Sequence, residues 1–292
     1  MEWENIAVPS GYLISWKKAL NLRRMSMRID RYGEVISVQS EVERNGFTMS
    51  VHVFYIDGML VDTGASRMLE DLKEFYEEVP IEFVSITHPH EDHTGTAAWL
   101  LREKSVPIYI RDTAIPQCRT EADIPAYREM IWGERAAFDP SPFGETIQSD
   151  HHTYKTIHTP GHEENHLALL DEENGRLFSG DLFIHPKPKV IMEDESVPVL
   201  MRSIRKVLEH DFEEMFCQHV GYIRYGKAAL KKKLDYLNEV SEQVREMYKE
   251  GRTLEEMNNE LFSDVPAIVP LSDYEYDSRH MIRTIIEDAA ID

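Results

Sequence analysis

Two kinds of hydrophobic pattern run along this chain, short apolar runs and stretches with helical spacing. Residues 34–42 and 50–56 are rich in Val, Tyr and Phe and read as strands. Asp57-Gly58 is a hairpin signal, and residues 59–62 continue as a third strand. Ser66 is placed to cap a helix in which Met68, Leu69, Leu72, Phe75 and Tyr76 recur at helical spacing. A short buried strand over 83–86 follows, then a helix over 94–101 and a strand over 107–110. Residues 122–138 are predicted helical, with Pro125 limiting the start.

Strands return at 154–158, and at 167–170 and 177–179, the last two paired across an Asn174-Gly175 turn. The pattern predicts a helix over 197–208 and a strand over 215–218 that delivers His219. Leu230, Leu234, Leu237, Val240, Val244 and Met247 then form one amphipathic stripe. Thr253 and Glu256 form a capping box, and Ser278 starts a last helix with Met281, Ile282, Ile285 and Ile286 inward. Residues 1–26 lack this regularity and read as an N-terminal extension, either decorative or translated from an upstream start. The rest divides into a catalytic domain over 27–225 and a C-terminal helical segment over 226–292 packed on it.

Composition narrows the function. With 292 residues and 42% hydrophobic content, the chain can bury a substantial core. The net charge of -21 argues against nucleic acid, whose binders need a positive field to displace counterions. Cys118 and Cys217 stand far apart, which suits a reducing cytoplasm and requires no disulfide. No apolar run approaches the roughly 18 residues needed to cross a bilayer. A cytoplasmic protein with a small-molecule substrate, no membrane partner and a homodimer as the prior is expected.

The chemistry concentrates in His88-Pro89-His90-Glu91-Asp92-His93, directly after an apolar strand. Imidazoles and a carboxylate crowded there would desolvate and repel one another unless a cation organised them. Zinc accepts such a mixture of nitrogen and oxygen donors, and iron or manganese does so as well.

His88-x-His90-x-Asp92-His93 resembles the signature of the metallo-β-lactamase superfamily, nearest its glyoxalase II and lactonase-like branches. Other landmarks follow in order: Asp62-Thr63-Gly64 before it, then Thr159-Pro160-Gly161-His162, Ser179-Gly180-Asp181 and His219. Together they span about residues 30–225. The resemblance implies an α/β fold, a four-layer αββα sandwich with C-terminal helices. It implies two divalent metal ions, the first held by His88, His90 and His162, the second by Asp92, His93 and His219. Asp181 would bridge them. A metal-bridging hydroxide would then attack a small ester-like substrate, lactone or thioester ahead of phosphodiester, with Asp92 helping to move the proton. Asp62 would orient the turn and its histidines from behind.

The other candidates carry less. His166 is expected behind the ligands or in the pocket, and His185 near the substrate or at the surface in equal measure. His158 is expected to be structural. His52, His151, His152, His210 and His280 read as surface or packing residues. Tyr222, Arg224 and Tyr225, and more remotely Tyr274, Tyr276 and Arg279, are candidate pocket residues. Cys217 reads as a small buried thiol, and Lys231-Lys232-Lys233 as a solvated face. Two other classes stay open: an iron-dependent oxidoreductase of the same fold, and a non-catalytic metal-binding protein, for which a damaged ligand set would be expected.

Overall fold

A computed structural model describes residues 27–44 and 47–290, with the side chains of residues 43, 44, 47 and 48 left aside. The expected extension over 1–26 lies outside the described residues. The first sheet contains β1 (Met27–Tyr32), β2 (Val35–Arg44), β3 (Phe47–Ile56), β4 (Met59–Val61), β5 (Phe83–Ser85), β6 (Ile108–Ile110) and β7 (Ser141–Pro142), in that order. It is antiparallel from β1 to β4 and parallel from β4 to β7.

The second half begins with β8 (Thr146–Gln148), β9 (Thr153–His158), β10 (Leu167–Asp171) and β11 (Arg176–Phe178). After β12 (Ile191–Met192) come β13 (Glu214–Cys217), β14 (Gly221–Ile223) and β15 (Tyr276–Asp277). The second sheet runs β14-β13-β11-β10-β9-β8, and β12 pairs with β15 alone. Helices α1 (Leu69–Glu78), α2 (Glu91–Thr94), α3 (Ala97–Lys104), α4 (Ile115–Cys118) and α5 (Ala126–Trp132) accompany the first sheet. The second is accompanied by α6 (Val197–Leu208), α7 (Gly226–Lys249), α8 (Leu254–Leu261) and α10 (Ser278–Ala289), while α9 (Ile268–Leu271) lies beside β15 and packs its Leu271 against the core of the first sheet.

Period-two alternation on the central strands builds the layers. On β3, Phe54 and Ile56 face the second sheet, while Val51 and Val53 face the helices. On β13, Phe216 faces the first sheet, and Met215 and Cys217 face α6 and α7. Phe54 meets Phe178 and Phe216 across the inter-sheet core at ring separations of 5.9 and 5.4 Å. Helices cover both outer faces, which gives the expected αββα sandwich. Among the described residues no helix is long and apolar enough to cross a membrane.

Most predicted elements are present, and four details differ. The helix expected over 122–138 is only α5, opening after Pro125 and ending at Gly133, whose φ is 86°. The helix expected over 94–101 is split into α2 and α3 around Gly95-Thr96. Ser66 does not cap α1; it opens a 3-10 turn and its Oγ donates to the Trp132 carbonyl at 3.2 Å. Lys233 is not solvated. It is 3% exposed, and its Nζ donates to the Leu182 and Phe183 carbonyls at 2.9 and 2.7 Å. The capping box at Thr253 and Glu256 forms as predicted.

Candidate metal centre

Both sheets deliver ligating side chains to one edge of the sandwich. From the first sheet, the loop after β5 carries His88 and His90, and α2 begins at once to carry Asp92 and His93. Asp62, at the end of β4, fixes this loop from below. Its Oδ1 accepts from the Thr87 backbone N–H at 2.7 Å, and its Oδ2 accepts from Thr87 Oγ1 and His93 Nδ1, both at 2.9 Å. His93 Nε2 is thereby turned towards the other ligands.

The second sheet contributes His162 after β9, Asp181 after β11 and His219 after β13. Glycine is required beside two of them. Gly161 has φ 128° and a Cβ there would lie 2.4 Å from the Leu200 nitrogen. Gly180 has φ 50°, and its Cβ would strike His166 Nε2 at 2.3 Å. That close approach lets the Asp181 N–H donate to His166 Nε2 at 2.9 Å, while His166 Nδ1 meets Thr159 Oγ1 at 2.8 Å. Burial, and then the nearby charge of His162, push His166 down to about 3, so it is a neutral acceptor that seats the Asp181 backbone.

The seven side chains fall into three touching groups: His88, His90 and His162; His88, His93 and Asp181; and Asp92, His93 and His219. His90 Nδ1 lies 3.0 Å from His88 Nε2 and 3.2 Å from His162 Nε2. Asp181 Oδ2 lies 3.1, 3.3 and 3.5 Å from the Nε2 atoms of His219, His162 and His93. Asp92 Oδ2 is 3.3 Å from His219 Nε2.

Electrostatics favour a cation here. Burial, then the positive potential of neighbouring histidines, hold His88 and His90 well below the usual imidazole range, so their lone pairs are free. For His93 and His219 burial opposes charge, but Asp181 and Asp92 overcome it and draw both well above that range. The buried carboxylates therefore demand positive charge from whatever is nearest. His93 Nε2 and Asp181 Oδ1 are also buried without a hydrogen bond. Two neutral imidazoles, carboxylates, histidines whose charge a metal ion would replace, and orphaned buried atoms together fit a divalent cation.

Two supporting groups escaped the sequence reading. Glu195, 8% exposed, places Oε1 3.3 Å from His162 Nδ1 and accepts from the Met192 N–H at 3.1 Å. Glu91, between His90 and Asp92, is gripped in a fork by Arg128, with Nε–Oε1 and Nη2–Oε2 both 2.7 Å. A charged residue buried within the signature was the available signal, since such a group needs a partner. Nothing local in sequence identifies that partner as Arg128.

A cavity of about 560 Å³ opens over the cluster, with His90, Asp92, His162, Asp181 and His219 in its wall. His185 and Tyr276 line it too, whereas Tyr222 and Arg224, expected there, do not. The Tyr222 ring stacks on Tyr32 and its hydroxyl donates to Glu214; Arg224 lies over the ring of Tyr225. They follow His219 along a β-turn-β path that leads away from the cavity. Tyr225 and Tyr274 are largely exposed, and Arg279 pairs with Glu255 and Asp277. His158 Nε2 donates to the Glu164 carbonyl at 2.7 Å, and Cys217 is buried. His52 is buried against Phe54.

The family model described as "Metallo-beta-lactamase superfamily" matches residues 49–219 of the 292. A Caenorhabditis elegans protein named "Beta-lactamase-like protein 2 homolog" is 26% identical over 73% of this chain and 70% of its own length. An "Atrochrysone carboxyl ACP thioesterase" from Emericella nidulans is 24% identical over 69% of this chain. The chain spans 58% of that fungal protein and between 29% and 48% of several other fungal relatives. Among solved structures, a metallo-beta-lactamase family protein from Thermus thermophilus superimposes with TM-score 0.64 at 16% identity, covering 88% of this chain and 95% of that one. The match over more than half of the sequence agrees with the layered architecture and with the ligand-rich sheet edge, and the chain belongs to the metallo-beta-lactamase superfamily.

Proposed function

We propose that the protein is a metal-dependent hydrolase of small ester-like substrates, with thioester or lactone ahead of phosphodiester. The observation that carries this reading is the convergence of seven donor side chains from both sheets on one cavity floor. Names of relatives add weight to the thioester, since the Emericella nidulans protein is called a thioesterase. His88, His90 and His162 would hold one cation, Asp92, His93 and His219 a second, and Asp181 would stand between them. Bound divalent cations, zinc first and iron or manganese as alternatives, supply Lewis acidity and make water more acidic.

The chain's own groups do the remaining work. Asp92 is kept ionised because His93 and His219 outweigh the cost of its burial, so its carboxylate can take a proton from water. It can then release that proton to the leaving oxygen or sulfur. Asp62, Glu195 and the Ser50 carbonyl, which lies 3.1 Å from His219 Nδ1, orient the histidines so that little reorganisation is needed.

Metal analysis paired with a panel of thioesters, lactones and phosphodiesters tests the proposal. His90→Ala and Asp181→Ala are expected to lower metal content and abolish hydrolysis. Full activity with intact metal content in either variant removes the site. Oxygen consumption with a thiol-derived substrate, and no hydrolysis of any ester, would favour the oxidoreductase alternative instead.

A further inference from the structure

The cavity over the cluster is formed by more than its polar floor. Ile131 and Trp132 are packed into one side of it, 3% and 5% exposed. Ile184 and Val190 on one segment and Pro266 and Ile268 on another also line it, and all four are partly open to solvent. Large apolar side chains left half-covered around a reactive floor leave a favourable burial term to be collected by a ligand.

Two of the cations in the same wall, Arg128 and Lys233, are largely buried and already paired. Arg128 is held by both oxygens of Glu91, with Glu275 at 3.4 Å. Lys233 donates hydrogen bonds to two carbonyls, while Lys189 makes only an exposed pair with Asp264 at 3.0 Å. Lys187 rests over the Tyr236 ring at 5.7 Å. Three carboxylates, Asp92, Asp181 and Glu195, also line the space. An anionic group would find only the exposed Lys187 and Lys189 at the solvent side of this wall, whereas an apolar chain meets several surfaces.

We propose that the substrate carries an apolar chain on its scissile group, and that this chain is bound between the 184–190 and 266–268 lips of the cavity. The proposal rests on the hydrolase reading and specifies the substrate class for that site. Each methylene removed from water is worth about fourfold in affinity when fully buried, and the lips are partly open. A rise of roughly two- to fourfold in kcat/KM per added methylene is therefore expected.

The test uses metal-loaded protein with two ester and thioester series. One lengthens the acyl chain from acetyl to octanoyl; the other lengthens the leaving group from methyl to octyl. At least one series should climb with that slope, and Ile268→Asp should flatten it. Val265→Asp should not, because Val265 is 71% exposed and does not line the cavity. Hydrolysis that is flat or falling with length in both series overturns the proposal while leaving the hydrolase reading intact. If metal-replete protein cleaves nothing, the hydrolase reading fails, and calorimetric binding of octanoate against butyrate decides this one. Octanoate binding at least tenfold tighter, lost in Ile268→Asp, supports the chain site. Equal binding of the two acids overturns it.

Discussion

Replacing Arg128 with Gln should show how strongly the metal-bearing turn depends on a distant cation. Glu91 is 2% exposed and Arg128 13%, so the pair lies where solvent screens little. Its fork geometry, with two bonds of 2.7 Å, leaves both carboxylate oxygens satisfied by one group. In Arg128→Gln the carboxylate stays buried without its countercharge. Breaking a buried pair from one side costs about 3–5 kcal/mol. For a chain of this size that corresponds to a fall in Tm of roughly 5–10 °C.

Glu91→Gln combined with Arg128→Gln removes both charges. It should recover a substantial part of the loss, giving a coupling energy of about 1–3 kcal/mol in a double-mutant cycle. Urea denaturation of the four proteins, each stripped of metal and each reloaded, measures these terms. Because Glu91 opens the same short helix that carries Asp92 and His93, the single variant should also weaken cation binding at those two residues. Binding at His88, His90 and His162 should be less affected. If the double variant is no more stable than Arg128→Gln, the pair is not what holds this helix, and the reasoning fails.

Two further outcomes follow from the supporting groups. Glu195→Ala should weaken metal binding by roughly 10- to 100-fold in a chelator competition, since it frees His162 Nδ1 from its carboxylate. Unchanged affinity would remove Glu195 from the site. Lys233 gives a pH signature whose sign is fixed by its burial, which lowers it from 10.5 to about 8. Below about pH 8 both folded and unfolded chains hold that proton. Between about 8 and 10.5 only the unfolded chain still does, so stability should rise with pH by up to roughly 3 kcal/mol. The difference between wild type and Lys233→Met, followed by denaturation from pH 7 to 10, isolates the slope; a parallel pH dependence in the two proteins contradicts it.

Legibility of the molecule from sequence follows the range of the forces involved. The Val, Tyr and Phe content of β3, the short apolar run of β13 and the stripe on α7 are local patterns, and they placed strands and helix close to their observed limits. The ligand cluster was legible for the same reason, since His88 to His93 are adjacent in the chain. His162, Asp181 and His219 were joined to it only through the ordered resemblance, because no local rule brings three loops of one sheet to the edge of another. Helix α5 was overextended since the chain after Gly133 is irregular, with Phe138 buried and Ala136 and Ala137 exposed. Lys233 misled for a related reason: in a run of three lysines the burial of one depends on carbonyls fifty residues away. Arg128 meets Glu91, and Glu195 meets His162, by tertiary contact alone, and their positions carry no local mark.

The division of donors between the sheets has a mechanical side. Four side chains come with the first sheet and three with the second, so an ion drawing on both sets would fasten the two halves of the sandwich at their rim. The backbone already bridges that rim, the His52 N–H donating to the Gln218 carbonyl at 2.6 Å beside His219. By linkage, whatever free energy binds the ion resists parting of the sheets, and strain that parts them loosens the ion by the same factor. The rim would then serve as a rivet as well as a reaction site, with its tightness set by how much metal the surroundings supply.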